Sequence, residues 1–170
     1  MNNVLTIVTP RLRLVAANAA MIGLELNNRP GLFAMLGVEP PADWPPPLND
    51  DQSFGFFLDI MERDPAFVGW GYWYVLEKNQ LIGICGFKGR PDEKGNVEIG
   101  YSIVEARQRQ GFAGEAITAL LRWAKEKGAS GAIAHTFSEL TASIRVMEKN
   151  GLRYDGAGEE AGTVRYRCAL

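Results

Sequence analysis

Val97–Gly128 reads VEIGYSIVEARQRQGFAGEAITALLRWAKEKG, and three patterns follow one another in it without a gap. Val97, Ile99, Tyr101 and Ile103 alternate with Glu98, Gly100 and Ser102, the period-two signature of a strand. A basic, glycine-containing turn comes next. Ala116, Ile117, Leu120, Leu121 and Ala124 then mark one side of a helix predicted over Glu115–Lys127, which opens on that turn and ends at Gly128. A helix start leaves backbone N–H groups unpaired at the positive end of the helix dipole, an arrangement suited to phosphate or pyrophosphate. The amides from Arg109 through Gln110, Gly111, Phe112 and Ala113 to Gly114 would form such a cradle. Its small residues allow close backbone approach, and Gln108, Arg109 and Gln110 place amide or cationic side chains beside it. The stretch lacks the Gly-Lys-Ser/Thr of a P-loop and the three spaced glycines of a dinucleotide fold.

Working outward, Leu5–Val15 alternates as a first strand broken or bent at Pro10, with Leu12 and Leu14 on one side and Arg11 and Arg13 on the other. Residues 19–36 predict two short helices broken at Pro30-Gly31, and 39–48 (EPPADWPPPL) has too many prolines for helix or central strand. Gln52–Arg63 predicts a third helix with Phe54, Phe57, Leu58 and Met61 near one face. Phe67–Glu77, Gln80–Lys88 and Val97–Val104 then read as an antiparallel meander. After the central helix come a strand at Gly131–Thr136, a helix at Thr141–Asn150 and a strand pair at Tyr154–Gly158 and Thr163–Ala169. Strands first, then strand-helix-strand-helix-strand, predicts an α+β sheet with helices on its faces.

The chain has 170 residues, 46% of them hydrophobic and 10% aromatic, one domain's worth with material for a proper core. A net charge of -2 argues against a general nucleic-acid surface, although Arg107 and Arg109 make a local basic patch. The N-terminus has no secretion signal, and no apolar run approaches the roughly 20 residues that span a bilayer. A cytoplasmic protein with no membrane partner is expected. Cys85 and Cys168 with a single histidine do not furnish a structural zinc set, so buried thiols and no metal are expected.

Gln108, Gly111 and Ala113 match the Gln/Arg-x-x-Gly-x-Gly/Ala pyrophosphate turn of the GNAT superfamily of acyl-CoA-dependent N-acetyltransferases. Thr9-Pro10-Arg11-Leu12-Arg13-Leu14, Glu98-Ile99-Gly100-Tyr101 and 142–151 (ASIRVMEKNG) match further segments in the family's order. Together they resemble the branch of ribosomal-protein N-acetyltransferases (RimJ/RimL-like), over nearly the whole chain. The resemblance implies one N-acetyltransferase domain over residues 1–170, with a mixed, mostly antiparallel sheet that splays beside the cradle. It implies acetyl-CoA as co-substrate and a primary amine as acceptor, either a protein N-terminus or a small molecule. A homodimer is compatible with it, and a non-catalytic acyl-CoA-binding regulatory module is the alternative reading.

The chemistry needs a cofactor anchor, a neutral amine, an oxyanion site and a proton for the departing thiolate. Alternation keeps Glu98 off the face that buries Ile99; in the family a glutamate at this position often acts as base, commonly through water, and the plain alternative is a solvated carboxylate. N–H groups near Ile103 and Val104, freed where the strand bulges or splays, would receive the thioester oxygen and the pantetheine arm. Met147 stands where many members carry an acidic tyrosine, and Leu140 where the branch has an asparagine that touches coenzyme A. Ser143 matches a branch serine and would assist the thiolate, or else bond its own backbone. His135 has the right intrinsic pKa for proton transfer and is expected near the cleft, although a lone histidine is more often structural. Trp44 and Tyr72 are the aromatic candidates for the acceptor pocket, the other aromatics of 70–74 being core.

Overall fold

The structure, a computed structural model, describes residues 4–39 and 41–170. Its strands are β1 (Thr6–Val8), β2 (Arg13–Ala16), β3 (Tyr72–Glu77), β4 (Gln80–Phe87), β5 (Asn96–Ile103), β6 (Gly131–Phe137), β7 (Arg153–Ala157) and β8 (Thr163–Ala169). Its helices are α1 (Ala19–Asn27), α2 (Arg29–Leu36), α3 (Asp51–Arg63), α4 (Phe112–Glu126) and α5 (Thr141–Lys149). The eight strands form one mixed sheet in the order β1-β2-β3-β4-β5-β6-β8-β7. All neighbours are antiparallel except β5 and β6.

That parallel pair decides the shape of the sheet. It holds only from Asn96↔Gly131 to Glu98↔Ile133. Beyond Glu98, β5 stays with β4 as far as Ile103, while β6 stays with β8 as far as Phe137. The two halves therefore splay apart alongside Ile99–Ile103, as the family resemblance implied.

Each face of the sheet buries its own apolar set. Leu14 and Ala16 of β2, Trp73 and Val75 of β3, and Val97, Ile99 and Ile103 of β5 pack with Phe112, Ala116, Ile117, Leu120 and Ala124 of α4. On the other face Val15, Tyr74, Leu76, Leu81 and Ile84 pack with Met21 and Ile22 of α1, Leu32 and Phe33 of α2, and Phe54, Phe57 and Met61 of α3. Period-two strands with both faces covered explain the apolar runs read as strands. No helix among the described residues is long and apolar enough to cross a membrane.

Three local expectations are corrected. The bent strand over Leu5–Val15 is a hairpin: β1 and β2 pair antiparallel around a turn in which the N–H groups of Thr9 and Leu12 donate to Leu12 O and Thr9 Oγ1, both at 2.9 Å. Proline and threonine together reverse the chain there rather than bend it, since Pro10 offers no N–H to a ladder. The helix break falls at Asn28, whose side chain caps α2, leaving Pro30 inside the first turn where its missing donor costs nothing. The strand expected from Phe67 begins only at Tyr72. Gly69, at φ 96°, and the Trp73 indole donating to its carbonyl at 2.9 Å keep the preceding residues in a turn. Cys85 is buried and Cys168 half-buried, both free thiols; burial pushes the Cys85 thiol far up and raises Cys168 as well.

Candidate active site

The cradle forms where β5 ends and α4 begins. Gly111 occupies the N-cap of α4 in the left-handed region, φ 82°, and no side chain caps the helix. Arg109 is also left-handed, φ 61°. The amides of Phe112, Ala113 and Gly114 therefore open the helix without intrahelical partners, three residues before the start predicted at Glu115. Gln108 ties the turn to the strand by donating from Nε2 to Ile103 O at 2.9 Å. Gln110 and Arg109 are exposed, whereas Arg107 turns back to pair with Glu77 and lies 5.3 Å over the Phe112 ring. Arg107 is thus committed to Glu77, and of the two arginines of the turn only Arg109 is exposed.

A brace holds this helix start, and its parts are 104 residues apart in the chain. Arg11 Nε donates to Glu115 Oε2 at 2.6 Å, its guanidinium reaches Gln110 O at 2.9 Å, and it covers the Phe112 ring at 4.5 Å. Thr9 Oγ1 and the Arg11 N–H donate to Glu115 Oε1 at 2.6 and 2.9 Å. Burial alone would raise the Glu115 carboxyl, but these hydrogen bonds and the Arg11 charge more than reverse it, holding it below its ordinary value of 4.5. A depressed carboxylate stabilises the fold above its unfolded pKa and loses that contribution as pH falls through the folded one. Glu115→Gln should therefore flatten the loss of stability below about pH 4.5, read from urea unfolding between about pH 3 and pH 6.

On β5, the N–H of Val104 donates to Ile82 O at 2.9 Å and that of Lys88 to Glu98 O at 3.0 Å. The even-numbered residues of this strand thus face β4, and antiparallel alternation points the amides of Tyr101 and Ile103 the other way, into the splay. Val104 is corrected as a free amide donor because the ladder already uses it, whereas the Ile103 amide faces the splay with that of Tyr101. Across the splay the Tyr101 hydroxyl lies 2.8 Å from Ser143 Oγ and 3.0 Å from Ser143 O, on the first turn of α5. Burial raises the Tyr101 phenol, partly offset by the bond to Ser143. Met147 is buried in the core at 2% exposure, and Leu140, at the N-cap of α5, provides no capping bond.

Glu98 lies on the opposite side of β5, beside β6. His135 Nδ1 is 2.9 Å from Glu98 Oε1, and Lys88 Nζ pairs with the same carboxylate oxygen. Burial would raise the Glu98 carboxyl, but the bonds from Lys88 and His135 outweigh it, and the carboxyl stays below its ordinary range. His135 Nε2 is buried and has no partner among the described residues. The same face carries a row from Tyr72 through Gly86 to Gly100 across β3, β4 and β5. A Cβ at Gly100 would meet nothing within 4 Å, so open space lies directly beside Glu98. A Cβ at Gly86 would stand 2.1 Å from Gly71 O, so this position admits glycine alone. One strand therefore presents a carboxylate with a histidine to one face, and amides with a serine-bound phenol to the splay.

Residues 11–153 match the family described as acetyltransferase (GNAT) domain. The chain belongs to the GNAT acetyltransferases. The uncharacterized N-acetyltransferase YjdG of Bacillus subtilis (strain 168) is 28% identical over 155 residues, which cover 84% of this chain and 86% of that protein. RimL, a ribosomal L7/L12 alpha-N-protein acetyltransferase solved in complex with coenzyme A, shares the fold at TM-score 0.69 and 18% identity, covering 96% of this chain and 97% of its own. The acetyltransferase from Agrobacterium tumefaciens str. C58 does so at TM-score 0.69 and 20% identity, covering 100% and 97%.

Within this acetyltransferase, Trp44 and Tyr72 have neighbours that sequence periodicity does not reveal. The Trp44 indole donates to Glu25 Oε1 at 2.9 Å, with its rings 6.4 Å from Phe33 and 6.3 Å from Tyr74. Tyr72 packs against Phe54 and Phe57 of α3, at 5.3 and 4.5 Å. The proline segment is drawn towards β5 by Ser102 Oγ, which donates to Pro47 O at 2.6 Å. Glu25 was not foreseen. It is fully buried on α1, receiving bonds from Arg29 Nε at 2.9 Å, Trp44 and the Tyr74 hydroxyl at 3.3 Å. The only prior signal was its spacing to Arg29, one helical turn away, which reads equally as a surface pair. Glu25→Gln keeps the volume but removes the charge that satisfies three donors. It is expected to cost about 1–3 kcal/mol in urea unfolding.

Proposed function

We propose that this acetyltransferase, acting as one domain over residues 1–170, moves an acetyl group from acetyl-CoA to a primary amine by direct attack in a ternary complex. The amine is a polypeptide N-terminus or that of a small molecule. The observation that carries the reading is the two-sidedness of β5, which separates an uncapped helix start and splayed amides from Glu98 with His135. The uncapped amides of Phe112, Ala113 and Gly114 hold the diphosphate, with Arg109 adding charge. The amides of Tyr101 and Ile103 pair with the pantetheine arm and receive the thioester oxygen as it becomes an oxyanion. The fit of this donor draws support from the coenzyme A held by RimL and the acetyl-CoA held by the microcin C7 self-immunity acetyltransferase MccE.

The acceptor enters over Gly100, between Glu98 and the proline segment. Its ammonium gives up a proton to the Glu98–His135 pair, directly or through water, and the free amine attacks the thioester carbon. The C–S bond then breaks, and the thiolate takes a proton from Ser143. Lys88 keeps Glu98 ionised and so acceptor-only, which holds His135 in the tautomer with its proton on Nδ1 and its lone pair on the unpartnered Nε2. The ribosomal-protein substrates of several structural neighbours support trying polypeptide N-termini first.

The test is thiol release from acetyl-CoA across peptides of varied N-terminal residue and a set of small primary amines. Release that requires an amine is the expected result. Saturable acetyl-CoA binding without turnover on any amine would leave a regulatory binding module instead.

A further inference from the structure

A serine hydroxyl is a far weaker acid than the thiol it has to protonate, for which a free cysteine at about 8.5 is the guide. Ser143 can hand a proton to sulfur only if another group replaces it in the same event. Met147, buried in the core on the same helix, has no proton to give. The neighbour that does is on a different element: the Tyr101 hydroxyl lies 2.8 Å from Ser143 Oγ, reaching across from β5 to α5. We infer that Tyr101 is the positioning and proton-resupplying residue for Ser143, so that the leaving thiolate is protonated through a two-hydroxyl relay spanning the splay.

The relay balances. As the C–S bond breaks, the Ser143 proton moves to sulfur and the Tyr101 proton moves to Ser143 Oγ; the phenolate then takes back a proton from solvent. The proton removed from the acceptor leaves separately through Glu98 and His135, on the other face of β5. Two features fit Tyr101 to the task. Its ring is half-buried against the α4 core, which fixes the hydroxyl on Ser143. Its phenol is raised by burial, so at neutral pH it remains protonated and ready to donate. A phenol is also much closer in acidity to a thiol than an aliphatic hydroxyl is, and transfer is most effective when donor and acceptor are matched.

This inference rests on the assignment of Ser143 as the group next to the sulfur, and the experiment separates the two. Tyr101→Phe, Ser143→Ala and the double variant are compared for kcat with acetyl-CoA, alongside calorimetric affinity for coenzyme A. Two hydroxyls acting as one relay predict that each single variant loses about 100-fold in kcat, that the double variant loses no more, and that affinity changes less than about threefold. Replacing Tyr101 with 3-fluorotyrosine, a more acidic phenol of nearly the same size, should move the alkaline limb of the kcat profile to lower pH. A residue that merely anchors α5 would leave that limb in place. If Ser143→Ala lowers kcat while Tyr101→Phe does not, or if their losses multiply in the double variant, the relay is wrong and Ser143 stands alone. If Ser143→Ala leaves kcat unchanged, the serine assignment falls first.

Discussion

Replacing Glu98 with glutamine is expected to lower kcat/KM by about 100- to 1,000-fold, because the variant keeps the shape of the site and loses only its proton acceptor. The fold should tolerate the change. Lys88 is largely in solvent, with 65% of its side chain exposed, and is simply hydrated once its partner loses charge. The amide oxygen of glutamine can still receive the His135 Nδ1 hydrogen bond. What disappears is the carboxylate charge, and with it the site's capacity to take a proton from an ammonium acceptor. Coenzyme A affinity should remain within about threefold, since the cradle lies on the other side of β5. Steady-state thiol release with calorimetry on the same preparation reads both quantities. A variant that turned over within about threefold of the parent would remove Glu98 from the chemistry and leave His135 or water as the base.

Gly114→Asp should separate stability from cofactor binding with opposite signs. Gly114 is the third residue of α4, and a Cβ placed there has its nearest neighbour, Asn150 Nδ2, at 3.6 Å, an ordinary contact. Exchanging a helical glycine for almost any residue recovers part of the roughly 0.5–1 kcal/mol that glycine costs. A carboxylate in the first turn adds about 0.3–1 kcal/mol through the helix dipole. Urea unfolding should therefore show a protein at least as stable as the parent. The same carboxylate would stand where the diphosphate is proposed to sit, and two like charges about 4 Å apart repel by about 4 kcal/mol at an effective dielectric of 20, roughly a 1,000-fold loss of affinity. Calorimetric titration with acetyl-CoA measures it. Unchanged affinity in a well-folded Gly114→Asp protein would mean that the diphosphate binds elsewhere.

Much of this site could be read in advance because it is local. The turn that opens α4, the small residues within it and the alternation that sets Glu98 apart from Ile99 all belong to one stretch of chain. There the periods of strand and helix leave little freedom. The hairpin at Pro10 was harder. Its residues read as well for a bent strand as for two strands, and the choice depended on the reciprocal bonds of Thr9 and Leu12. Val104 illustrates the same gap. Its position at the end of β5 was legible, but whether its amide is free depended on Ile82 of a neighbouring strand.

The distant partners of the candidate site residues could not be read that way. Arg11 meets Glu115 across 104 residues, Tyr101 meets Ser143 across 42 and Glu98 meets His135 across 37. Periodicity states which way a side chain leaves its own element, but what it meets there depends on strand order and register. The family of this acetyltransferase and the glycine-capped helix start of α4 were therefore written in the linear order of residues, since backbone geometry at a helix start is a local property. The histidine that completes the carboxylate, the tyrosine that backs the serine and the buried Glu25 beneath Trp44 were decided only by assembly. A short polar contact between distant segments exists only once the packed sheet has brought both ends to within hydrogen-bonding reach.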